Sequence, residues 1–597
     1  MDTIQPNGLM GTNQPRIDGL AKVTGRAPYG ADHSVPGAAH ASLATSPIAR
    51  GRICSIDQNT ARAMPGVLDV LTYENVGKAI KPGKTILDGG YMANSVAPLA
   101  SNRIYFAGQI TAVVIAETPE AAKAAAEKLV FTFKSRPAAA GLDSPGASES
   151  RAKALGETEL SAGDPDRGFA EAAAIVDAWY ETPAQHQNPM ELFQSTCAWE
   201  GERLTVWESC QNVRGFQYGL AKQFGMKPEK IRILSPFIGG AFGSRSELGQ
   251  VTSLVALAAK RLGRPVKLVA TRRQGFTLRT FRAETRHHLR LGATREGRLT
   301  ALAHDSWELT SRTERFAVAG SDSTARLYAC PNVRTKVVNV EADRQAPGFM
   351  RAPPETPYLF ALESAMDELA CALEIDPLDL RRHNETAVET VTGKPYTSRS
   401  LLGCIDRGAE LFGWSERSPL PRSMATEDEL IGWGYATAFY PTQVGPADCR
   451  LTLTSDLRAT VEVGAHEIGT GIRTVIAQTA GDLLGLDLDC IEVRVGDSAL
   501  PAAPMSAGSN STASVCTVVA KACEAMRHRI ARRANMSKGS PLAGVDVATV
   551  RFAGGEILAG DPASRSPQPS TARGAVDPSS KTPATARTAL LPCSAPY

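Results

Sequence analysis

Residues 231–245 spell IRILSPFIGGAFGSR, and residues 250–262 spell QVTSLVALAAKRL. The alternation at Ile231–Ser235 predicts a strand, and the apolar spacing at Val251–Leu262 predicts a helix. The glycines between them let backbone N–H groups come close to an anion or a polar ring. The loop is neither a Walker A loop nor a GxGxxG fingerprint. Two interpretations stay open, a cofactor-binding loop and a plain strand–helix turn.

Two more loops enter predicted helices in the same way. One is GAHEIGTG at residues 464–471, ahead of a helix predicted to end at Leu484. The other is PMSAGSNST at residues 504–512, which is rich in hydroxyl groups and precedes a helix predicted to end at Arg532. Each loop alone is a weak signal. Three of them without a nucleotide fingerprint indicate one large polar ligand held mainly by backbone groups.

The remainder of the chain alternates strand-like and helix-like runs, which predicts a mixed α/β (α+β) protein. Between the predicted strand Gln109–Ala116 and the next run, Thr118 can cap a helix that continues to Glu127, and Pro119 suits its first turn. A long helix is predicted at Thr356–Glu374. Residues 135–165 are rich in Ala, Gly, Ser and Pro, which predicts a linker.

Composition excludes several classes of protein. The 597 residues carry 65 Lys+Arg against 62 Asp+Glu, a net charge of +3, which argues against a nucleic-acid binder. The longest aliphatic run falls far short of the roughly 20 apolar residues of a membrane span. The first residues lack a signal-peptide pattern, so we expect a cytoplasmic protein, or a periplasmic one exported with a signal-bearing partner. Eleven cysteines form no CxxC pair, which argues against an iron–sulfur cluster or a structural zinc site on this chain.

The last residues have a different composition from the rest. Residues 561–597 contain seven prolines and six serines in 37 residues, with no hydrophobic period. Such a segment buries too little apolar area to offset its ordering entropy. We expect either a disordered tail or the out-of-frame translation of a chain that is truncated at its C-terminus.

Arg351 lies in FMRAPPE at residues 349–355, directly before a proline-braced turn. Its guanidinium could face an anionic or carbonyl group, or it could form an ordinary surface ion pair. His466 and Glu467 lack the second histidine of an HExxH motif, and the adjacent His287 and His288 point to opposite faces of a strand. These histidines are therefore not predicted to bind a metal.

Several motifs occur together in one order along the chain. They are VTGRAPYGAD at residues 23–32, PME at 189–191, VWESCQ at 206–211, the loop at 239–243, MRAP at 350–353, LESAMDEL at 362–369, EIGTG at 467–471 and GD at 496–497. This ordered set resembles the molybdenum-binding subunit of the xanthine dehydrogenase/aldehyde oxidase family. The resemblance covers roughly residues 15–560.

The resemblance implies a domain order. It places a lead-in at 1–16, an α/β hammerhead domain at 17–134, a linker at 135–165, a first molybdopterin-binding domain at 166–395, a second and incomplete one at 396–560, and the tail at 561–597. It also implies an enzyme that oxidises an aldehyde or an N-heterocycle with water-derived oxygen. The cofactor is expected to be molybdopterin in its cytosine dinucleotide form, whose dithiolene holds the molybdenum, so no protein ligand to the metal is expected.

Since the chain has no cysteine pattern for iron–sulfur clusters, the resemblance implies a heterotrimer. Separate [2Fe–2S] and FAD-binding subunits would carry the electrons away. The Ala352-Pro353 pair after Arg351 looks more like aldehyde oxidoreductases than like xanthine or carbon monoxide enzymes.

By position, Gln211, Phe242 and Arg351 are expected at the reacting centre. Gln211 would bond an oxo group or the pterin edge, Phe242 would pack near the substrate, and Arg351 would polarise it. The residues expected to contact the cofactor are these three with Gly239, Gly240, Ala241, Gly243, Gly469, Thr470, Gly471, Ala507, Gly508, Ser509 and Asn510.

The family's general base is a glutamate in a late Gly-Glu motif, and no counterpart is found here. Gly555-Glu556 lies too early in the chain. We therefore expect impaired catalysis by this exact chain. The alternative is a non-catalytic scaffold or assembly subunit that binds partners or pterin without turnover.

Overall fold

A computed structural model of the chain describes residues 8–441, 443–537, 539–546, 550–553, 556–558 and 584–589. The first residues of the expected lead-in and most of the expected tail therefore lie outside the described residues. The described helices are α1 (Gly19–Val23), α2 (Asn59–Ala63), α3 (Tyr73–Val76), α4 (Pro119–Glu127), α5 (Pro165–Ala170), α6 (Val213–Phe224), α7 (Gln250–Leu262), α8 (Arg272–Leu278), α9 (Ser321–Arg326), α10 (Glu355–Leu373), α11 (Pro377–His383), α12 (Leu401–Phe412), α13 (Ile472–Leu484) and α14 (Ser511–Met536).

The strands, in chain order, are β1 (Ala39–Thr45), β2 (Gly51–Asp57), β3 (Val67–Thr72), β4 (Arg103–Ile104), β5 (Ile110–Ala116), β6 (Val130–Ser135), β7 (Ser148–Arg151), β8 (Glu159–Ala162), β9 (Ala174–Thr182), β10 (Gln194–Glu200), β11 (Arg203–Trp207), β12 (Ile231–Leu234), β13 (Val266–Val269), β14 (Thr285–Ala293), β15 (Leu299–Ser311), β16 (Val333–Ala342), β17 (Asp448–Leu453), β18 (Ala459–Glu462), β19 (Ile491–Arg494), β20 (Arg551–Ala553), β21 (Glu556–Leu558) and β22 (Ala584–Ala589).

The first sheet has the order β12-β11-β10-β13-β1-β5-β3. Its centre joins distant parts of the chain, because β1 pairs in parallel with β13, with Ala39 opposite Val266. One hydrophobic core lies against this sheet and includes Val113 and Ile115 of β5 with Leu254 and Val255 of α7. The expected boundary between residues 134 and 166 therefore does not separate two cores.

The second sheet has the order β7-β16-β15-β14-β9, with β8 also paired to β16. Helix α10 packs on it through fully buried apolar residues such as Leu362 and Met366. Residues 135–165 were expected to be a linker, but they contribute the edge strands β7 and β8. These strands are short and polar, as edge strands often are, so they lack the apolar alternation that would predict them.

The third sheet has the order β19-β18-β17-β22, and α13 and α14 share its core. It is joined to the first sheet at the end of β12, where the Ser235 N–H donates to the Gly496 carbonyl at 2.7 Å. Strand β22 lies in the segment that was expected to be a disordered or out-of-frame tail, and it pairs with β17 over six residues.

Most predicted elements lie where the sequence indicates, with ends shifted by a few residues. In α4, the Thr118 hydroxyl accepts a hydrogen bond from the Ala121 N–H at 3.1 Å, and Pro119 occupies the first turn. His287 is buried, and its neighbour His288 is turned toward the surface beside Asp177. In the part of the chain that the structure describes, no helix is both long and apolar enough to cross a membrane.

Leu362→Ala tests the second core. The side chain is fully buried on α10, so its truncation is expected to cost about 2–5 kcal/mol of stability and to lower the melting temperature. Leu411→Ala on α12 is the matched control, because Leu411 is 70% exposed. Thermal unfolding of both variants measures the difference. An unchanged melting temperature for Leu362→Ala would contradict the described core.

Candidate functional site

The loop at 239–243 is held in close contact with the segment 349–351. Gly240 and Gly243 have φ of +97° and +105°, values that L side chains rarely adopt. A Cβ on Gly243 would lie 2.2 Å from the Phe349 carbonyl oxygen, so only glycine fits there. The Arg351 N–H donates to the Phe242 carbonyl at 2.9 Å. The structure thus brings the Phe242 and Arg351 loops together.

Gln211 connects three loops from inside the protein. Its Oε1 accepts hydrogen bonds from the N–H groups of Gly243 at 3.1 Å and Arg245 at 3.3 Å. Its Nε2 donates to the Ser506 carbonyl at 2.7 Å, and the Ser506 N–H donates back to the Gln211 carbonyl at 2.9 Å. The side chain is buried, so each of these backbone groups would otherwise be unpaired away from water.

His466 makes a second connection between the same loops. Its Nε2 accepts from the Val213 N–H at the start of α6, at 2.9 Å, so the proton is on Nδ1, which lies 2.9 Å from the Ser506 hydroxyl. The imidazole is completely enclosed, and burial lowers its pKa to about 3. A neutral imidazole is required here, because a protonated Nε2 could not accept the Val213 hydrogen bond.

A buried guanidinium supports the 239–243 loop from below. Arg245 donates to the carbonyls of Gly240 at 3.0 Å and Glu191 at 2.8 Å, and its guanidinium lies 3.4 Å from the Glu191 carboxylate. Glu191 in turn accepts from the Gly239 N–H at 2.8 Å and the Gly30 N–H at 3.1 Å. This pair is satisfied on both sides, as a buried ion pair must be.

Strained backbone is concentrated in these loops. Phe242, Ala352 and Ser509 have positive φ of 54°, 53° and 52°, although none of them is glycine. Such a conformation costs on the order of 1–3 kcal/mol per residue and persists where the surroundings impose it, which is common at functional sites. Phe242 is also 43% exposed, and Arg351 is exposed beside it. These two side chains lie at the accessible surface of the loops.

The loops at 469–471 and 507–510 differ in how they join the rest. Residues 507–510 follow Ser506 directly, and Gly508 has φ of +59°. In the other loop, Glu467 accepts from the N–H groups of Gly469 at 2.9 Å and Gly471 at 3.2 Å. Those two donors therefore face the protein's own carboxylate. Gly469 and Thr470 are exposed.

Sequence reasoning missed the groups that hold the loops in place. His466, Glu467, Arg245 and Ser506 make these connections, yet His466 and Glu467 were considered only as a partial metal motif. For His466 and Glu467, a usable signal was their position directly before the glycines at 469–471. A buried polar side chain at such a position can pair with the backbone groups that the loop leaves without partners. Among the described residues, no group of three or more His, Cys, Asp or Glu side chains could hold a metal ion.

Family models match most of the chain. The model for the molybdopterin cofactor-binding domain matches residues 148–385, a second such model matches residues 407–581, and the model for the aldehyde oxidase and xanthine dehydrogenase a/b hammerhead domain matches residues 24–137. The second match extends past residue 560, where the resemblance identified from the sequence ended.

Curated relatives and solved structures agree with these matches. The aldehyde oxidoreductase molybdenum-binding subunit PaoC of Escherichia coli (strain K12) is 35% identical over 560 residues, which cover 92% of this chain and 73% of that protein. The xanthine dehydrogenase molybdenum-binding subunit of Escherichia coli O157:H7 is 27% identical over 503 residues, which cover 80% of this chain and 66% of that protein. Quinoline 2-oxidoreductase from Pseudomonas putida 86 has a similar fold, with a TM-score of 0.77 at 22% identity over 92% of this chain and 74% of that one.

Acid is expected to destabilise the protein through His466. Its pKa of about 3 in the folded chain lies below the 6.5 of an unperturbed imidazole, so between these values the unfolded chain binds a proton that the folded chain does not. The contribution of His466 to the free energy of unfolding is therefore present above pH 6.5 and is lost as the pH falls toward 3. The loss approaches about 1.4 kcal/mol per pH unit. Denaturant titrations at pH 7, 6 and 5 measure it.

His466→Gln is expected to make the pH dependence shallower by up to that amount per unit. His528→Gln is the control, because His528 is a half-exposed residue on α14, and it is expected to keep the wild-type slope. An unchanged slope for His466→Gln would contradict the assignment of a neutral, enclosed His466.

Proposed function

The chain belongs to the molybdenum-binding subunits of the xanthine dehydrogenase and aldehyde oxidase family, and we propose that its reaction is the oxidation of an aldehyde with water-derived oxygen. The relative with 35% identity is an aldehyde oxidoreductase subunit, whereas the xanthine dehydrogenase subunit is 27% identical. The Arg351-Ala352-Pro353 sequence favours the same subtype. An N-heterocyclic substrate is the alternative within this family.

The observation that carries the proposal is the set of loops joined by Gln211. They fit a large polar cofactor such as molybdopterin, because the non-glycine residues Phe242 and Ser509 are held at positive φ and the loops are exposed at Phe242, Gly469 and Thr470. We propose that the cytosine dinucleotide form binds here, in contact with residues 239–243, 469–471 and 507–510. When bound, the cofactor supplies the redox and oxygen-transfer chemistry of hydroxylation.

The protein's own residues would orient the substrate. Phe242 offers an exposed ring that can pack against an apolar aldehyde, and the strained backbone fixes its direction. The backbone N–H of Arg351 donates to the Phe242 carbonyl, which keeps the two residues side by side. The Arg351 guanidinium can therefore polarise a carbonyl oxygen of a substrate that lies next to the Phe242 ring. Gln211 has its Oε1 and one N–H committed to backbone, which leaves its second N–H as the group for the cofactor edge.

We propose that proton transfer limits the reaction at the carboxylates that the structure describes beside these loops. The carboxylates of Glu191 and Glu467, which lie beside the loops, already accept backbone N–H groups. Glu247 is buried near Glu314, and this burial raises its pKa to about 8, so it is mostly protonated at neutral pH. A reaction without a positioned general base is typically about 10² to 10⁴ times slower than the same reaction with one.

The partners of this protein would be a [2Fe–2S] subunit and an FAD-binding subunit, since neither centre is expected on this chain. The complex would work in the cytoplasm, or in the periplasm after export with a signal-bearing partner. A non-catalytic scaffold is the second candidate function, and the committed carboxylates favour it. Molybdenum analysis shows whether such a scaffold binds the cofactor, and turnover separates a cofactor-binding scaffold from the hydroxylase.

The test uses the chain co-purified with its partner subunits. We expect bound molybdenum together with slow aldehyde oxidation in the presence of an artificial electron acceptor. Added acetate or formate is expected to raise the rate, because a small carboxylate can take the proton, and chloride at equal ionic strength is the control. Fast turnover without added carboxylate would contradict the proton-transfer limit. A stable complex free of molybdenum would favour the scaffold.

A further inference from the structure

The segment of residues 9–22, named here the N-terminal strap, lies along helix α13. The amide nitrogen of Gln478 donates to the Leu9 carbonyl at 3.0 Å, and the Ile17 N–H donates to the Thr474 hydroxyl at 3.2 Å. These contacts join residues that are more than 450 positions apart in sequence. The strap therefore reaches the helix that follows the 467–471 loop.

Glu467 is the buried anion of that loop. Its side chain has no exposed area, and its carboxylate accepts from the N–H groups of Gly469, Gly471 and Arg473 at 2.9, 3.2 and 3.4 Å. The last two of these N–H groups lie at the start of α13, where the first backbone donors have no partner within the helix. A negative charge is also favourable at a helix N-terminus. Glu467 thus caps α13 and sets the shape of the loop.

The strap supplies two cations that face this buried carboxylate, in addition to the buried Arg473 of α13. Lys22 Nζ lies 3.4 Å from Glu467 Oε1 and 2.6 Å from the Asp18 carboxylate of the strap, and Arg16 Nη1 lies 4.0 Å from Glu467 Oε1. Arg16 also donates to the Gly469 carbonyl at 2.8 Å and lies against Gly471, where a Cβ would approach its guanidinium to 3.2 Å. A buried carboxylate without a cation is strongly unfavourable, so removing these partners should loosen the loop.

We propose that the N-terminal strap holds the 467–471 loop in its binding shape and that Glu467 is the positioning residue through which it acts. The loop's importance for cofactor binding rests on the proposed function. The coupling of strap to loop does not, because it depends on contacts within this chain alone. The shape of one side of the candidate cofactor site thereby depends on the strap, which lies more than 440 positions earlier in the sequence.

Amide hydrogen exchange of the purified full chain tests the coupling. In the double variant Arg16→Gln/Lys22→Met, peptides covering residues 467–474 are expected to exchange about tenfold faster. Peptides from α6 should keep their wild-type rate. Arg26→Met is the matched control, because Arg26 is an exposed cation four residues after Lys22. In the described contacts its guanidinium donates a hydrogen bond only to the Thr24 hydroxyl. Unchanged exchange at 467–474 in the double variant would overturn the proposal.

A coupling measurement separates positioning from general destabilisation. Glu467→Gln keeps the shape of the side chain and removes its charge. Adding Lys22→Met to it should therefore speed loop exchange much less than Lys22→Met does alone, and the remaining effect reflects the lost contact of Lys22 with Asp18. Lys22→Arg should restore slow exchange. Additive effects of Glu467→Gln and Lys22→Met would overturn the assignment of Glu467 as the positioning residue. This test remains decisive even if the Arg16→Gln/Lys22→Met variant fails to fold.

Molybdenum content of the co-purified complex provides a separate readout. If the wild-type complex binds molybdenum, the double variant is expected to retain less than Arg26→Met does. Equal retention would overturn the claim that the strap sets the binding shape. If the wild-type complex binds none, the proposed function fails, and the exchange result still decides whether the strap holds the loop.

Discussion

The candidate site depends on one buried amide. Gln211 accepts from the backbone of the 239–243 loop and donates to the backbone of Ser506, which lies 295 positions further along the chain. Each backbone group it pairs would cost about 1–3 kcal/mol if it were left unsatisfied away from water. Because His466 and Ser506 lie against the same segment, the loops are fixed relative to one another before any ligand is present.

Buried charges complete this framework, and each is neutralised locally. Arg245 is enclosed by carbonyls and by Glu191 beneath the 239–243 loop. Glu467 is enclosed by backbone N–H groups and by Lys22 beside the 469–471 loop. Charged groups of this kind are retained only where their partners are held in place, so the two pairs oppose rearrangement of the loops they support. The strained residue Phe242 lies in the first of these loops, so this support helps to hold its conformation.

Local elements were predictable from the sequence, whereas the assembly was not. The strand, glycine loop and helix at 231–262 have strong local signals, and the Thr118 cap places α4 correctly. The pairing of Ala39 with Val266 has no local signal, because register between distant strands is set by tertiary packing. The same holds for His466, whose role depends on the Val213 N–H, more than 250 residues away. The ordered motifs identified the family because, taken together, they include residues from each loop of the site.

The central claim is that the Gln211 connection shapes a molybdopterin site. The most direct measurement is the molybdenum content of the complex purified with Gln211→Met or with Gln217→Met. Gln217 is an equally buried glutamine on α6 that donates to the carbonyls of Pro228 and Ile231. The account predicts that Gln211→Met retains about a tenth of the wild-type molybdenum or less, while folded Gln217→Met retains most of it. Equal retention by the two variants would contradict it.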